Sequence, residues 1–128
     1  MKIRGTDFVM FPVSNLADAA RFYREVLGLP QELYSEEWQW AEFDCGNVTL
    51  ALHGGQAPPA ANAGGRLALA VDDIHGAYVE LRQRGARVLH PPADHQVCWH
   101  LDVLDPDGNP LMLHHRADGT FGQHSPHA

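Results

Sequence analysis

The strongest constraint on this chain is that it repeats itself. Residues 8–16 read as a short apolar strand running into Ser14-Asn15 and then a helical pattern. Residues 66–74 do the same through Asp72-Asp73, about 58 positions later. Asn15 and Asp73 are the expected N-caps, because a short polar side chain can accept the exposed N–H groups of a first helical turn. Asp18, three positions after Asn15, makes a loose capping box. Leu16, Ala19, Phe22, Tyr23, Val26 and Leu27 form one apolar stripe that predicts a helix to about Leu27, with Gly28 as its left-handed stop. Ile74, Ala77, Tyr78 and Leu81 predict a second helix to about Arg84, ended by Gly85.

A second matched pair lies further along each half. Residues 45–50 and 107–112 both place a Gly-Asn turn before an apolar strand, 62 positions apart. Residues 38–43 in the first half, and 87–89 and 97–104 in the second, supply the remaining strands. The predicted class is α+β: two tandem β-α-β-β-β modules, about 6–53 and 65–115, forming curved mixed sheets around a cavity. Halves of about 60 residues bury too little surface alone, so their sheets are expected to pack on each other or on a partner chain. Residues 54–64 read as a linker and 117–128 as a frayed tail.

Composition narrows the partners. A formal charge of -7 speaks against nucleic acid, whose phosphates need Lys and Arg. No stretch approaches the roughly 18 apolar residues of a membrane span, and residues 1–5 do not open a signal peptide, so a cytoplasmic location with no membrane partner is expected. Cys45 and Cys98 are too few for a disulfide framework or a Cys-rich metal site.

The segments 22–29 (Phe22-Tyr23-Arg24-Glu25-Val26-Leu27-Gly28-Leu29), 69–74 and 105–111 (Asp105-Pro106-Asp107-Gly108-Asn109-Pro110-Leu111) resemble the glyoxalase/bleomycin resistance/dioxygenase superfamily, the vicinal oxygen chelate fold. The likeness spans residues 6–115 and implies a homodimer that binds a small molecule. It also implies metal ligands at four places, which fall here on Phe8, Leu50, Arg66 and Met112. None of the four is a suitable donor for a hard divalent cation. The expectation is therefore a small-molecule binding protein with no metal and no cofactor. The alternative is a lyase, isomerase or dioxygenase-like enzyme using a displaced metal site or metal-free His/Arg chemistry. A third reading is a structural dimer with a vestigial cavity.

On that register, Met10, Pro12, Leu52, Ala68, Ala70 and His114 join Phe8, Leu50, Arg66 and Met112 on the strand faces expected to line the cavity and bind the ligand. Arg66 is either a clamp for a ligand anion or the partner of an internal acid such as Glu42. His90, His95, His100, His114 and His115 crowd the second half. His114 is the expected general base or hydrogen-bonding group, since imidazole chemistry runs near neutrality. His100 and His114, with Glu42 or Asp102, are the ligands to expect if a metal site is displaced. Alternation places Trp38, Trp40 and Glu42 together for aromatic stacking or cation recognition, or for packing. Asp105 and Asp107 are expected to hold a turn.

Overall fold

A computed structural model describes residues 1–2, 4, 6–57 and 66–122. Residues 58–64 of the expected linker and 123–128 of the expected tail lie outside the described residues. The chain divides into two compact units, Met1–Pro59 and Ala60–Ala128.

In the first unit, strand β1 (Phe8–Pro12) leads to helix α1 (Leu16–Arg21), which continues as a π-helical turn over Phe22–Val26. Strands β2 (Gln31–Ser35), β3 (Trp40–Asp44) and β4 (Thr49–His53) follow. The sheet order is β1-β4-β3-β2, with β1 parallel to β4 and the other pairs antiparallel. Asn15 caps α1 by accepting the Asp18 N–H at 3.0 Å. Gly28 ends the helical segment at φ 74°, a backbone angle that glycine takes without strain. Tyr23 is buried, with its ring 5.8 Å from that of Phe43, so Phe43 marks the helix-facing side of the sheet. Ala41, Leu50 and Leu52 are fully buried on that side.

The second unit repeats the plan with β5 (Leu67–Ala70), α2 (Ile74–Gln83), β6 (Arg87–Val88), β7 (Ala93–Asp94), β8 (Cys98–Leu104) and β9 (Pro110–Arg116). Its order is β5-β9-β8-β6, with β7 pairing with β8. Asp73 caps α2 through the Gly76 N–H at 3.0 Å. Leu101, Val103, Leu111 and Leu113 are buried, and Trp99 on the same strand face touches His75 of α2. Alternation therefore turns His100, Asp102, Met112 and His114 to the opposite face.

Three details differ from the sequence expectation. Strand β2, at the sheet edge, supplies the first of the three strands expected after α1, on residues to which the sequence reading assigned no strand. Trp38 sits in the turn before β3, where Gln39 has φ 52°, and is three-quarters exposed. The repeat is also offset by one residue. Val9 pairs with Leu50 and its repeat mate Leu67 pairs with Leu111, so Leu50 corresponds to Leu111, 61 positions on and not 62. The cause is where Gly-Asn sits in each turn: Val48 stands between Asn47 and the paired Thr49, whereas Asn109 directly precedes the paired Pro110. Since a one-residue shift exchanges strand faces, Leu50 and Leu52 lie on the helix side while Ala51 is the counterpart of Met112.

Candidate metal centre in the second unit

Strand β8 supplies two polar side chains from one face, His100 and Asp102, because they are two residues apart on a pleated strand. The third comes from the loop after β6. The Leu89 N–H donates to the Asp102 carbonyl at 2.8 Å, which fastens that loop alongside β8 and delivers His90 to the carboxylate. Nε2 of His90 lies 2.8 Å from Oδ2 of Asp102, and Nε2 of His100 lies 3.4 Å from the same oxygen. One donor atom from each of His90, His100 and Asp102 falls within 4.8 Å of the other two. Among the described residues this is the one such group of three or more His, Cys, Asp or Glu.

Each member is held from behind. Nδ1 of His90 is 2.7 Å from the Pro91 carbonyl, a pure acceptor, so Nδ1 carries a proton and Nε2 is the nitrogen turned inward. Nδ1 of His100 is 2.7 Å from Nε2 of His95. The other carboxylate oxygen of Asp102, Oδ1, accepts from Arg66 Nη1 at 3.3 Å. Two imidazoles with their remote nitrogens anchored, and a carboxylate with its remote oxygen anchored, are what first-row divalent cations take from proteins. The donor set fits a metal ion.

This overturns the expectation of a protein without metal ligands. The family's usual places hold no plausible donor: Phe8 and Met112 stand on the strand faces turned away from the helices, Arg66 directly precedes β5, and Ala51 takes the place expected of Leu50. The group that could hold an ion is instead His90, His100 and Asp102, all within the second unit. Of the displaced set anticipated from sequence, His100 and Asp102 are in it. His114 stands beside it, directly across from His100 on β9 and on the same face. Glu42 belongs to the first unit, where its Oε2 accepts from Trp40 Nε1 at 2.8 Å. The acid paired with Arg66 is thus Asp102.

The other anticipated residues keep to the first unit. Phe8 and Met10 are exposed on β1, and the Phe8 ring meets Trp40 edge-on at 5.7 Å. The Trp40 ring in turn lies 5.9 Å from that of His53. Trp38 is not part of this cluster's strand. His90 escaped sequence reasoning because a loop residue carries no periodic signature. The His100-x-Asp102 spacing did carry one.

Without a metal, the cluster is a cation-rich surround for one largely buried carboxylate. The hydrogen bond to Asp102, helped by the Pro91 carbonyl, holds the His90 imidazole above its ordinary pKa despite some desolvation. In the metal-free chain this contact therefore adds stability that is fully present below the unfolded imidazole value of about 6.5 and is lost as pH rises through the folded value. An NMR titration of metal-free protein is expected to place His90 above the usual imidazole range, and Asp102→Asn to bring it back down. An unmoved His90 in that variant would remove Asp102 as the cause.

Comparison with known proteins agrees with the fold. The sequence model of the Glyoxalase/Bleomycin resistance protein/Dioxygenase superfamily matches residues 5–113. A glyoxalase/bleomycin resistance protein/dioxygenase from Nocardioides superposes with a TM-score of 0.76 at 20% identity, covering 98% of this chain and 92% of that one. Lactoylglutathione lyase from Agrobacterium tumefaciens gives 0.72 at 20% identity, with 90% and 96% covered. A superfamily member from Sphaerobacter thermophilus DSM 20745 gives 0.73 at 23% identity, with 89% and 98% covered. At these identities the likeness carries the fold alone. No curated protein matches the chain significantly. With its sequence matched over most of its length and its two β-α-β-β-β units in place, the chain belongs to the glyoxalase/bleomycin resistance protein/dioxygenase superfamily.

Proposed function

We propose that the second unit binds a divalent transition-metal ion through Nε2 of His90, Nε2 of His100 and Oδ2 of Asp102, and that the protein is a metal-dependent enzyme of the lyase, isomerase or dioxygenase-like kind. One donor atom from each of the three residues lies within 4.8 Å of the others, and the two Nε2 atoms lie 2.8 and 3.4 Å from Oδ2, which carries the reading. Two imidazoles and one carboxylate leave coordination positions for water or substrate, the pattern of catalytic rather than structural sites. A bound ion supplies Lewis acidity toward a substrate oxygen. The substrate class is therefore a small molecule with an oxygen donor.

The chain's own groups divide the remaining work. Arg66 keeps Asp102 turned toward the ion and adds positive charge beside it, which suits an oxyanion. His114, next to His100 and flanked on β5 by Ala70, has no hydrogen-bond partner for its ring among the described residues. It is placed to accept or return a substrate proton. A homodimer, common in this family, is the assembly we propose.

Elemental mass spectrometry on untagged protein, purified without chelator and then dialysed, tests the reading. About one Zn, Mn, Fe, Co or Ni per chain is expected. Protein that is empty and also fails to take up any of these ions on titration would overturn it.

A further inference from the structure

We propose that His95 is the positioning residue for the metal ligand His100: it accepts the Nδ1 proton of His100 and thereby keeps Nε2 turned to the ion. This rests on the metal centre described above. An imidazole that gives Nε2 to a metal is left with its proton on Nδ1, and that N–H needs an acceptor. Nε2 of His95 lies 2.7 Å away. The two rings are within 15° of parallel with centroids 4.8 Å apart. The short N···N contact and two ring radii account for that separation. The rings thus lie edge to edge in nearly one plane and are joined by a hydrogen bond, which fixes the tilt of His100 as well as its tautomer.

The backbone explains why His95 is in place. Strand β7 pairs with β8 through Ala93–His100 and Asp94–Trp99, which brings the residue after Asp94 back over β8. The His95 N–H donates to the Cys98 carbonyl at 2.9 Å and closes the hairpin. Gln96 takes φ 71°, and its N–H is held by Asp94 Oδ1 at 2.8 Å. The other ligating imidazole, His90, is anchored by a main-chain carbonyl that no side-chain substitution removes. His100 alone of the pair depends on a side chain, and that side chain is exposed.

Zinc affinity, measured by competition with a chromophoric chelator, is the first readout on wild type, His95→Ala and His95→Gln. His95→Ala is expected to bind zinc about 10–100-fold more weakly, the usual cost of losing an outer partner of a ligand. His95→Gln, whose amide oxygen can accept the same proton, recovers most of the loss. The second readout is the His100 Nδ1–H resonance in zinc-loaded protein. It is expected to be protected in wild type and His95→Gln, and lost to exchange in His95→Ala. Unchanged affinity with a retained Nδ1–H signal in His95→Ala would overturn this role while leaving the metal centre intact. A wild type that binds no zinc would overturn the centre itself, and the role of His95 with it.

Discussion

Asp102→Ala is expected to lose divalent-metal affinity by well over a hundredfold, more than the 10–100-fold typical of an outer-shell change. Asp102 is the one anionic donor of the set, and its Oδ2 is the atom on which both imidazoles converge. Removing it leaves two neutral nitrogens and places the Arg66 guanidinium, previously neutralised, beside the ion's position. Like charge then opposes binding in addition to the missing bond. His100→Ala should fall into the same range, because it removes a donor and strands the His95 contact. His114→Ala is the informative contrast: metal content should stay near one per chain while turnover drops by about 10²–10⁴, the range for a lost general acid or base. Isothermal titration with zinc, together with metal content of the purified variants, separates the cases. Retention of wild-type zinc affinity by Asp102→Ala would remove this carboxylate from the centre.

The fold was legible because its signals are local. Asn15 and Asp73 announce helix starts through their own side chains, and Gly28 and Gly85 announce the stops through backbone angles that other residues avoid. Strand β2 was not legible. Its segment Gln31-Glu32-Leu33-Tyr34-Ser35 lies at a sheet edge with little burial, so no clean alternation is imposed on it. Trp38 invites a strand reading with Trp40 and Glu42, yet the reversal at Gln39 breaks the alternation that reading needs. The one-residue offset of the repeat was hidden for a similar reason. Aligning the two Gly-Asn pairs is natural, but one residue, Val48, follows the first pair before its strand and none follows the second, and only strand pairing shows it. At the site, the His100–Asp102 spacing was readable as one strand face. The approach of His90 depends on a loop bond to the Asp102 backbone across 13 residues of sequence, and no periodicity encodes that.

Asp105→Ala is expected to be the most destabilising single substitution among the polar residues of the second unit, at about 3–5 kcal/mol. Asp105 looks like a candidate acid, being a fully buried carboxylate three residues from Asp102. Its oxygens are already committed. Oδ1 accepts the backbone N–H groups of Asp107 at 2.9 Å and Asn109 at 2.8 Å, and Oδ2 accepts Nδ2 of Asn109 at 2.8 Å. Its own carbonyl takes the Gly108 N–H at 3.0 Å and Arg87 Nη2 at 2.9 Å. The carboxylate therefore holds the turn that sets β8 against β9. Truncation to Ala removes the acceptor that two donors of the buried Asn109 use, and a buried donor that loses its acceptor costs about 1–3 kcal/mol. For a chain of this length a loss of that size lowers Tm by roughly 10–20 °C. Asp105→Asn keeps one acceptor in place and is expected to cost about half as much. Thermal unfolding of the metal-free proteins decides the matter: a shift of only one or two degrees for Asp105→Ala would show that the turn stands without its carboxylate, and would return Asp105 to consideration as a chemical group.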